Sequence, residues 1–258
     1  MSLLALTRPV SATLNRCQLT HLAREPIDVA RAERQHAGYE EALRAAGADL
    51  LRIPAEPDLP DAVFVEDTAI VLDEVAVLAN PGAPSRRPEV ASVANALGPY
   101  RKLVRLEGDA TLDGGDVLVV DRTLYVGQST RTNRAAASQL AMLVDPFSYD
   151  VRKVPVRGAL HLKSAVTMIG PGRLLMNPEW VSRADFEGLE ICQVDPSEPG
   201  GANALLVNES ILYPMHFPRT AARLEADGRR LLRVDVSELA KAEGGVTCCS
   251  LVFRSREG

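Results

Sequence analysis

The sequence predicts an α/β fold in which five similar units close into a ring around a central cavity. Three observations predict it. Short apolar hairpins recur along the chain, each opened by a polar or small residue. The openers stand at Asp67, Asp116, Ser164, Asn203 and Cys249, at steps of 49, 48, 39 and 46 residues. Segments with helical character lie between most of the hairpins. Periods of this size mark repeated supersecondary units, and a hairpin with a helix cannot bury its apolar face alone. An ordinary α/β sheet carrying hairpins fits the same pattern and stays open at this level.

The elements follow in chain order. SLLALTR reads as an N-terminal strand. A helix runs from about Asp28 to Ala46, with Asp28 as N-cap, Gly47 as the residue that ends it, and Glu40 and Arg44 spaced to support each other. After Glu66-Asp67 come TAIVL, the turn DE and VAVLAN, then a helix near 88–97. After Gly115-Asp116 come VLVV, DR and TLYVG, then a helix over 131–143. After Lys163-Ser164 come AVTMI, GPG and RLLMN. After Ala202-Asn203 come ALLV, NES and ILYP, followed by helices at 219–226 and 236–242. After Cys248-Cys249 only SLVFR remains. This last unit lacks its second strand, and the N-terminal strand can supply it, which joins the two termini and closes the ring. All five openers would then sit at one level near the axis.

Composition sets the class. The chain has 258 residues, 46% hydrophobic and 24% charged, close to the soluble globular average. This excludes disordered, collagenous and fibrous classes. The chain reads as a single domain over 1–258, and no apolar run reaches membrane-spanning length. Net charge is −5, with four lysines against 25 arginines and no basic cluster beyond two or three residues. That argues against nucleic acid and suits a small cationic substrate. The first residues lack the pattern of a secretion signal, and the four cysteines show no CxxC spacing. The expected setting is cytoplasmic, without disulfides, and a homodimer stays open. Asn208-Glu209-Ser210 matches a glycosylation acceptor by spelling alone.

Chemistry concentrates at the openers. In GGVTCCSLVF a glycine pair runs into a strand start. Neighbours in a strand point to opposite faces, so one of Cys248 and Cys249 would face the core and the other the cavity. His161, in GALHLKSAV, lies at the same level, and a Cys–His pair can activate a thiolate. His36 in mid-helix, His21 in a loop and His216 after a strand read as structural or solvent-facing. Asp61, Glu66 and Asp67 in LPDAVFVEDTAI, with Asp113 and Asp116 in TLDGGDVLVV, are acids where strands begin, although Asp is depleted in strands. Several carboxylates at one cavity suit a guanidinium, which pairs with them bidentately. No HxxxH, HExxH or CxxC metal spacing, GxGxxG, P-loop or GxSxG is present, so neither metal nor organic cofactor is expected.

The segments VARAERQH, LPDAVFVEDTAIV, PGAPSRR, TLDGGDVL, SxRTN, LHLKSAVT and TCCS, in that order, resemble the dimethylarginine dimethylaminohydrolase (dimethylargininase) family over almost the whole chain. That family belongs to the guanidino-group-modifying (pentein) superfamily, so the resemblance implies a five-bladed α/β propeller around a central active-site cavity. It implies hydrolysis of asymmetric dimethylarginine and monomethylarginine to citrulline and methylamines through an S-alkylthiouronium intermediate. By the resemblance Cys249 is the nucleophile and Cys248 its buried neighbour. His161 is the proton donor and later the base, and Asp113 is the acid beside it. Asp67, with Glu66, holds the guanidinium. Arg86 and Arg131 clamp the α-carboxylate, the Leu19 carbonyl and Asp61 meet the α-amine, the Glu243 backbone lies near the substrate, and Ser164 positions His161. Asp116 is structural. Arginine deimination on the same scaffold and a non-catalytic arginine-binding protein are the alternatives. Whether a metal ion regulates through Cys249 stays open.

Overall fold

The protein was studied as a computed structural model that describes residues 2–255. Along the chain come β1 (Leu3–Thr7), α1 (Val29–Ala45) and β2 (Asp49–Arg52), then β3 (Ala69–Val71), β4 (Val75–Leu78), α2 (Glu89–Leu97) and β5 (Lys102–Arg105). Next are β6 (Val117–Val120), β7 (Thr123–Gln128), α3 (Arg134–Val144) and β8 (Asp150–Pro155), followed by the short α4 (Leu162–Ala165), β9 (Val166–Gly170), β10 (Arg173–Met176) and β11 (Glu190–Gln193). The chain continues with β12 (Leu205–Val207), β13 (Ser210–Pro214), α5 (Pro218–Ala226), β14 (Arg230–Val234), the short α6 (Ser237–Ala240) and β15 (Leu251–Arg254). No helix among the described residues is long and apolar enough to cross a membrane.

These strands form five three-stranded sheets on one plan. Two strands pair antiparallel through a tight hairpin, the chain crosses over, and a third strand pairs parallel to the second. The fifth sheet is built from both ends of the chain. In it β15 runs antiparallel to β1, with Leu4 opposite Phe253 and Leu6 opposite Leu251, and β2 runs parallel to β1. The orphan strand after the cysteines therefore finds the N-terminal strand, as its sequence predicts. One cavity of about 250 Å³ is walled by residues of β3, β6, β9, β12 and β15 together, so the first strand of every sheet faces a common axis.

The middle strands explain the apolar runs. Side chains alternate across a strand, and each middle strand is covered on both faces by neighbouring units. Val75 and Val77 pack toward β6–β7 and α3, while Ala76 and Leu78 pack toward β1 and α2. In β10, Leu174 and Met176 face one seam and Leu175 the next. Strands buried on both faces read as continuous hydrophobic runs, which is why VAVL, RLLM and SILYP stand out in the sequence. The core is accordingly a set of five clusters, one in each seam.

Helix α1 starts and stops where its sequence says. The Asp28 carboxylate accepts the Arg31 N–H, and Gly47 takes φ +87 just past the end. Asn208 adds to this stop, because its side-chain amide donates to the Ala46 carbonyl.

Three features depart from the sequence reading, and a fourth, the third unit without a crossover helix, agrees with it. The parallel third strands β2, β5, β8, β11 and β14 were not foreseen. They are short and flanked by charge, as in DLLR and KLVR, and they lie at the sheet edges, where charge blunts strand addition. The openers sit ahead of the strands rather than on them, Asp67, Asp116 and Ser164 in single helical turns, Asn203 just past one and Cys249 in a non-helical turn. The third unit crosses over through a four-residue 3₁₀ turn, Arg183–Phe186, instead of a helix, which accounts for its short 39-residue step. Glu40 turns inward instead of pairing with Arg44. It accepts the Thr7 hydroxyl and lies beside His36 and Arg52.

Candidate active site

The five opening turns are joined in a closed circuit of hydrogen bonds around the axis. The Gly115 N–H donates to Asp67 Oδ1 at 2.9 Å. The Leu162 N–H donates to Asp116 Oδ1 at 2.9 Å. The Asn203 amide donates to the Lys163 carbonyl and to the Thr247 hydroxyl, both at 3.0 Å. The Glu66 N–H donates to the Cys248 carbonyl at 3.1 Å and returns the circuit to its start. Residues up to 182 positions apart are thereby fixed to one another by backbone and short side chains.

The TLDGGD motif supplies the tightest part. Asp113 is fully buried, and its Oδ2 meets His161 Nε2 at 3.0 Å while Oδ1 accepts the Gly82 N–H. Gly114 has no room for a side chain, because a Cβ there would lie 2.0 Å from the Glu66 carbonyl. At Gly115 a Cβ would wedge between His161 and Asp67, under 3 Å from each. Asp116 accepts the hydroxyls of Ser129 and Thr132 as well as the Leu162 N–H, a structural role, and burial pushes its pKa up to about 6.

His161 lies inside this cage. Burial alone would lower its pKa, but Asp67, Asp113 and Asp116 outweigh it and raise the value to about 9. The imidazole is therefore protonated at neutral pH. Its Nδ1 is 3.9 Å from Asp67 Oδ1. Asp67 is itself ionised. Burial opposes this, yet His161, the Arg86 guanidinium and the Gly115 N–H bring its pKa to about 2. Asp67, Asp113 and His161 could offer three ligand atoms to a metal. A metal-ligating imidazole must be neutral, whereas these carboxylates hold the proton on His161.

The two cysteines are placed opposite to the expected assignment. Both lie in a turn rather than on a strand, and Cys248 is the half-buried one that lines the recess with Asp67 and His161. Cys249 is 0% exposed, packed in the apolar cluster with Ala5, Tyr39 and Phe64, and its Sγ lies 3.7 Å from the Gly245 carbonyl. The resemblance puts Cys249 at the cavity and Cys248 in the core; the turn reverses the two, because it aims Cys248 at the recess and packs Cys249 among apolar side chains. Cys248 Sγ accepts the Gly245 N–H at 3.2 Å. Burial raises its pKa to about 12, Glu66 and Asp67 add to the rise, and the Gly245 N–H and Thr247 hydroxyl oppose it. Cys248 is therefore a thiol at neutral pH.

The remaining residues divide. Asp61, Asp67, Arg86, Arg131, His161 and Glu243 line the recess with Cys248. Asp61 accepts the Gln18 N–H, and burial raises its pKa. Arg86 is buried and heavily engaged. It is bidentate to Glu89, paired with Asp67 through Nη1, and donates to the Phe64 carbonyl at 2.9 Å. Arg131 is less committed, with Nη2 on the Thr20 hydroxyl and Nη1 3.7 Å from Asp113. Glu66 instead faces the axial cavity, held by Lys163 at 2.6 Å and by Thr247. Leu19 is half-buried against the apolar cluster of α1. Ser164 meets His161 only through its backbone N–H. Glu243 has φ +58, and its carboxylate accepts three N–H groups from Thr20, His21 and Leu22, tying that loop to the recess wall. Sequence reasoning missed Gln18, Phe64 and Leu160 on the recess wall; Phe64 and Leu160 lie inside the quoted segments without a role assigned to them, and Gln18 lies in none. The recess holds about 20 Å³, room for roughly one water.

Comparison with known proteins finds similarity to several dimethylarginine dimethylaminohydrolases. A profile described as "N,N dimethylarginine dimethylhydrolase, eukaryotic" matches residues 6–186. An N(G),N(G)-dimethylarginine dimethylaminohydrolase of Streptomyces coelicolor is 38% identical over 252 residues, 97% of this chain and 96% of the relative. Its namesake in Pseudomonas aeruginosa is 32% identical over 247 residues, 95% and 96% of the two chains. A solved structure of the P. aeruginosa protein, a cysteine-to-serine mutant complexed with citrulline, superposes with TM-score 0.92 over 97% of this chain and 98% of the other at 32% identity. A histidine-to-glycine dimethylarginine dimethylaminohydrolase in adduct with S-methyl-L-thiocitrulline gives TM-score 0.92 at 32% identity, over 98% of this chain and 100% of the other.

Proposed function

The chain belongs to the dimethylarginine dimethylaminohydrolase family, and on that premise we propose that it hydrolyses Nω-methylated arginines to citrulline and methylamines through a covalent intermediate on Cys248. The observation that carries the reading is the shared recess, where a thiol, an imidazolium and a fixed carboxylate meet beside residues suited to an amino-acid head group. The choice of Cys248 has further support. The histidine and cysteine replaced in the two solved relatives are as many positions apart as His161 and Cys248.

The chemistry follows from the charges. Asp67 pairs with the substrate guanidinium and, with Asp113, sets its plane, so that its carbon lies against sulfur. Arg131 takes the α-carboxylate, with Arg86 adding its charge from a fixed position, and Asp61 and the Leu19 carbonyl take the α-amine. The bound cation beside Cys248 reverses the field that Glu66 and Asp67 impose. The thiol then gives its proton to solvent and becomes thiolate. Sulfur bonds to the guanidinium carbon and forms a neutral tetrahedral adduct. His161 donates its proton to the methylated nitrogen, the carbon–nitrogen bond breaks with its electron pair on nitrogen, and dimethylamine leaves an S-alkylthiouronium cation. Neutral His161 then removes a proton from water, whose oxygen adds to the same carbon. Collapse expels the thiolate and yields citrulline. Overall, one guanidinium and one water give citrulline and one dialkylammonium ion. The scheme calls for neither metal nor organic cofactor.

The test is citrulline production from asymmetric dimethylarginine, monomethylarginine and free arginine. Preference for the methylated substrates is expected. Preference for arginine would move the activity to deimination, and tight binding of all three without turnover would indicate a binding protein.

A further inference from the structure

We infer that this protein also hydrolyses arginines whose Nω substituent is a bulky apolar group, such as n-butyl or benzyl, and that a chamber beside Cys248 receives that group. The inference rests on the hydrolase reading above and extends its substrate class. Cys248 stands where two recesses meet. The first is the polar recess, which carries Asp61, Asp67, Arg86, Arg131 and His161. The second holds about 380 Å³ and is walled by Leu22, Leu160, Trp180, Pro214, Phe217 and Val236. Leu160, Glu243, Gly244 and Cys248 belong to both walls, so the two adjoin at Cys248.

Charge divides the substrate between them. The groups that match a guanidinium, a carboxylate and an amine line the first recess. The carboxylate in the second, that of Glu243, is already occupied by three loop N–H groups. A substrate with both charged ends in the first recess has only its Nω substituent left to project past the sulfur. Two methyl groups fill little of a chamber whose volume lies in the range, about 300–1,000 Å³, that holds drug-sized ligands. The wall is built rather than incidental. The His216 and Phe217 rings lie 4.2 Å apart. The Trp180 indole lies over Gly158, where a Cβ would be 3.1 Å from Nε1. Gly158 has φ +67, so a side chain there is strained as well as crowded. Burying apolar carbon is worth about fourfold per methylene, and this offsets the bulk of the larger group. The reaction is unchanged. Sulfur bonds to the guanidinium carbon, His161 protonates the substituted nitrogen, butylamine or benzylamine departs with the bonding pair, and water releases citrulline.

The experiment compares kcat/KM of the full chain for Nω-methyl-, Nω-butyl- and Nω-benzyl-L-arginine, read as citrulline. Values for the larger substrates within tenfold of the methyl compound are expected. Turnover of the methyl compound with the others more than tenfold slower would overturn the inference alone. Absence of citrulline from every methylated arginine would overturn the hydrolase reading with it. Ala240→Phe, which fills the chamber from the end of α6, should cost tenfold or more on the benzyl substrate and under twofold on the methyl one. Equal losses on both would contradict the chamber's role. Trp180→Ala, at a half-exposed position, opens the wall without crowding it. It should also lower the benzyl-to-methyl ratio, and an unchanged ratio would again count against the inference.

Discussion

His161 and His36 are almost equally hidden from water, at 5% and 2% exposure, yet they carry opposite charge states. His161 sits among three carboxylates and is held as an imidazolium, with its pKa near 9. His36, in α1, has one carboxylate neighbour. That neighbour, Glu40, already accepts the Thr7 hydroxyl and faces Arg52. Among the described residues nothing bonds His36 Nε2, and burial takes its pKa down to about 4 despite Glu40. Burial by itself opposes charge, and only fixed counter-charges reverse that. The seam that packs α1 has an apolar solution to its histidine, whereas the axis has an electrostatic one. The neighbouring cysteines repeat the contrast one residue apart. Cys248 opens to the charged recess and Cys249 to the apolar seam.

The sharpest way to break this contrast is to exchange serine for each cysteine. Cys248→Ser should remove turnover by about 10⁶, the scale of losing a nucleophile, while substrate binding persists in calorimetry. Cys249→Ser should keep its activity and lose about 1–3 kcal/mol of stability from a hydroxyl placed among apolar groups. Next in size, Asp113→Asn withdraws the carboxylate bonded to His161. Activity should fall by about 10²–10⁴, and the alkaline limb of the pH–rate profile should move to lower pH. An unmoved limb would separate Asp113 from the proton on His161. Arg86→Met strands Glu89 and Asp67 without their buried partner, which should cost about 3–5 kcal/mol in chemical denaturation. The smallest effects are in the pH dependence of stability. His161 binds its proton more tightly when folded, so its contribution is complete below about pH 6.5 and is lost as pH rises through about 9. His36 does the reverse. Between about pH 6.5 and 4 only the unfolded chain takes up its proton, so stability drops as pH falls through that window. Tm measured against pH should lose its alkaline slope in His161→Asn and part of its acid slope in His36→Leu.

The ring was legible because middle strands buried on both faces leave unbroken apolar runs, and because the spacing of the openers survives loop variation. The outer strands were not, since two apolar residues between charges, as in Asp49–Arg52, look like a loop until β1 is placed beside them. Among site residues, Asp67, Asp113 and His161 announced themselves as polar groups where strands begin. The resemblance chose Cys249 for the recess and the structure puts Cys248 there; the residues alone could not decide, because the pair lies in a turn and strand alternation gives no answer there. The engagement of Arg86 by Glu89 and the diversion of Glu66 to Lys163 are long-range or side-chain choices that spacing does not encode. Gln18 enters the site through its backbone N–H, a contribution independent of residue type.

The most direct test is to quench the enzyme with acid during turnover of asymmetric dimethylarginine and sequence the modified peptide by mass spectrometry. The expected adduct is an S-alkylthiouronium on Cys248, with Cys249 unmodified. An adduct on Cys249, or steady turnover with neither sulfur ever modified, would contradict the account.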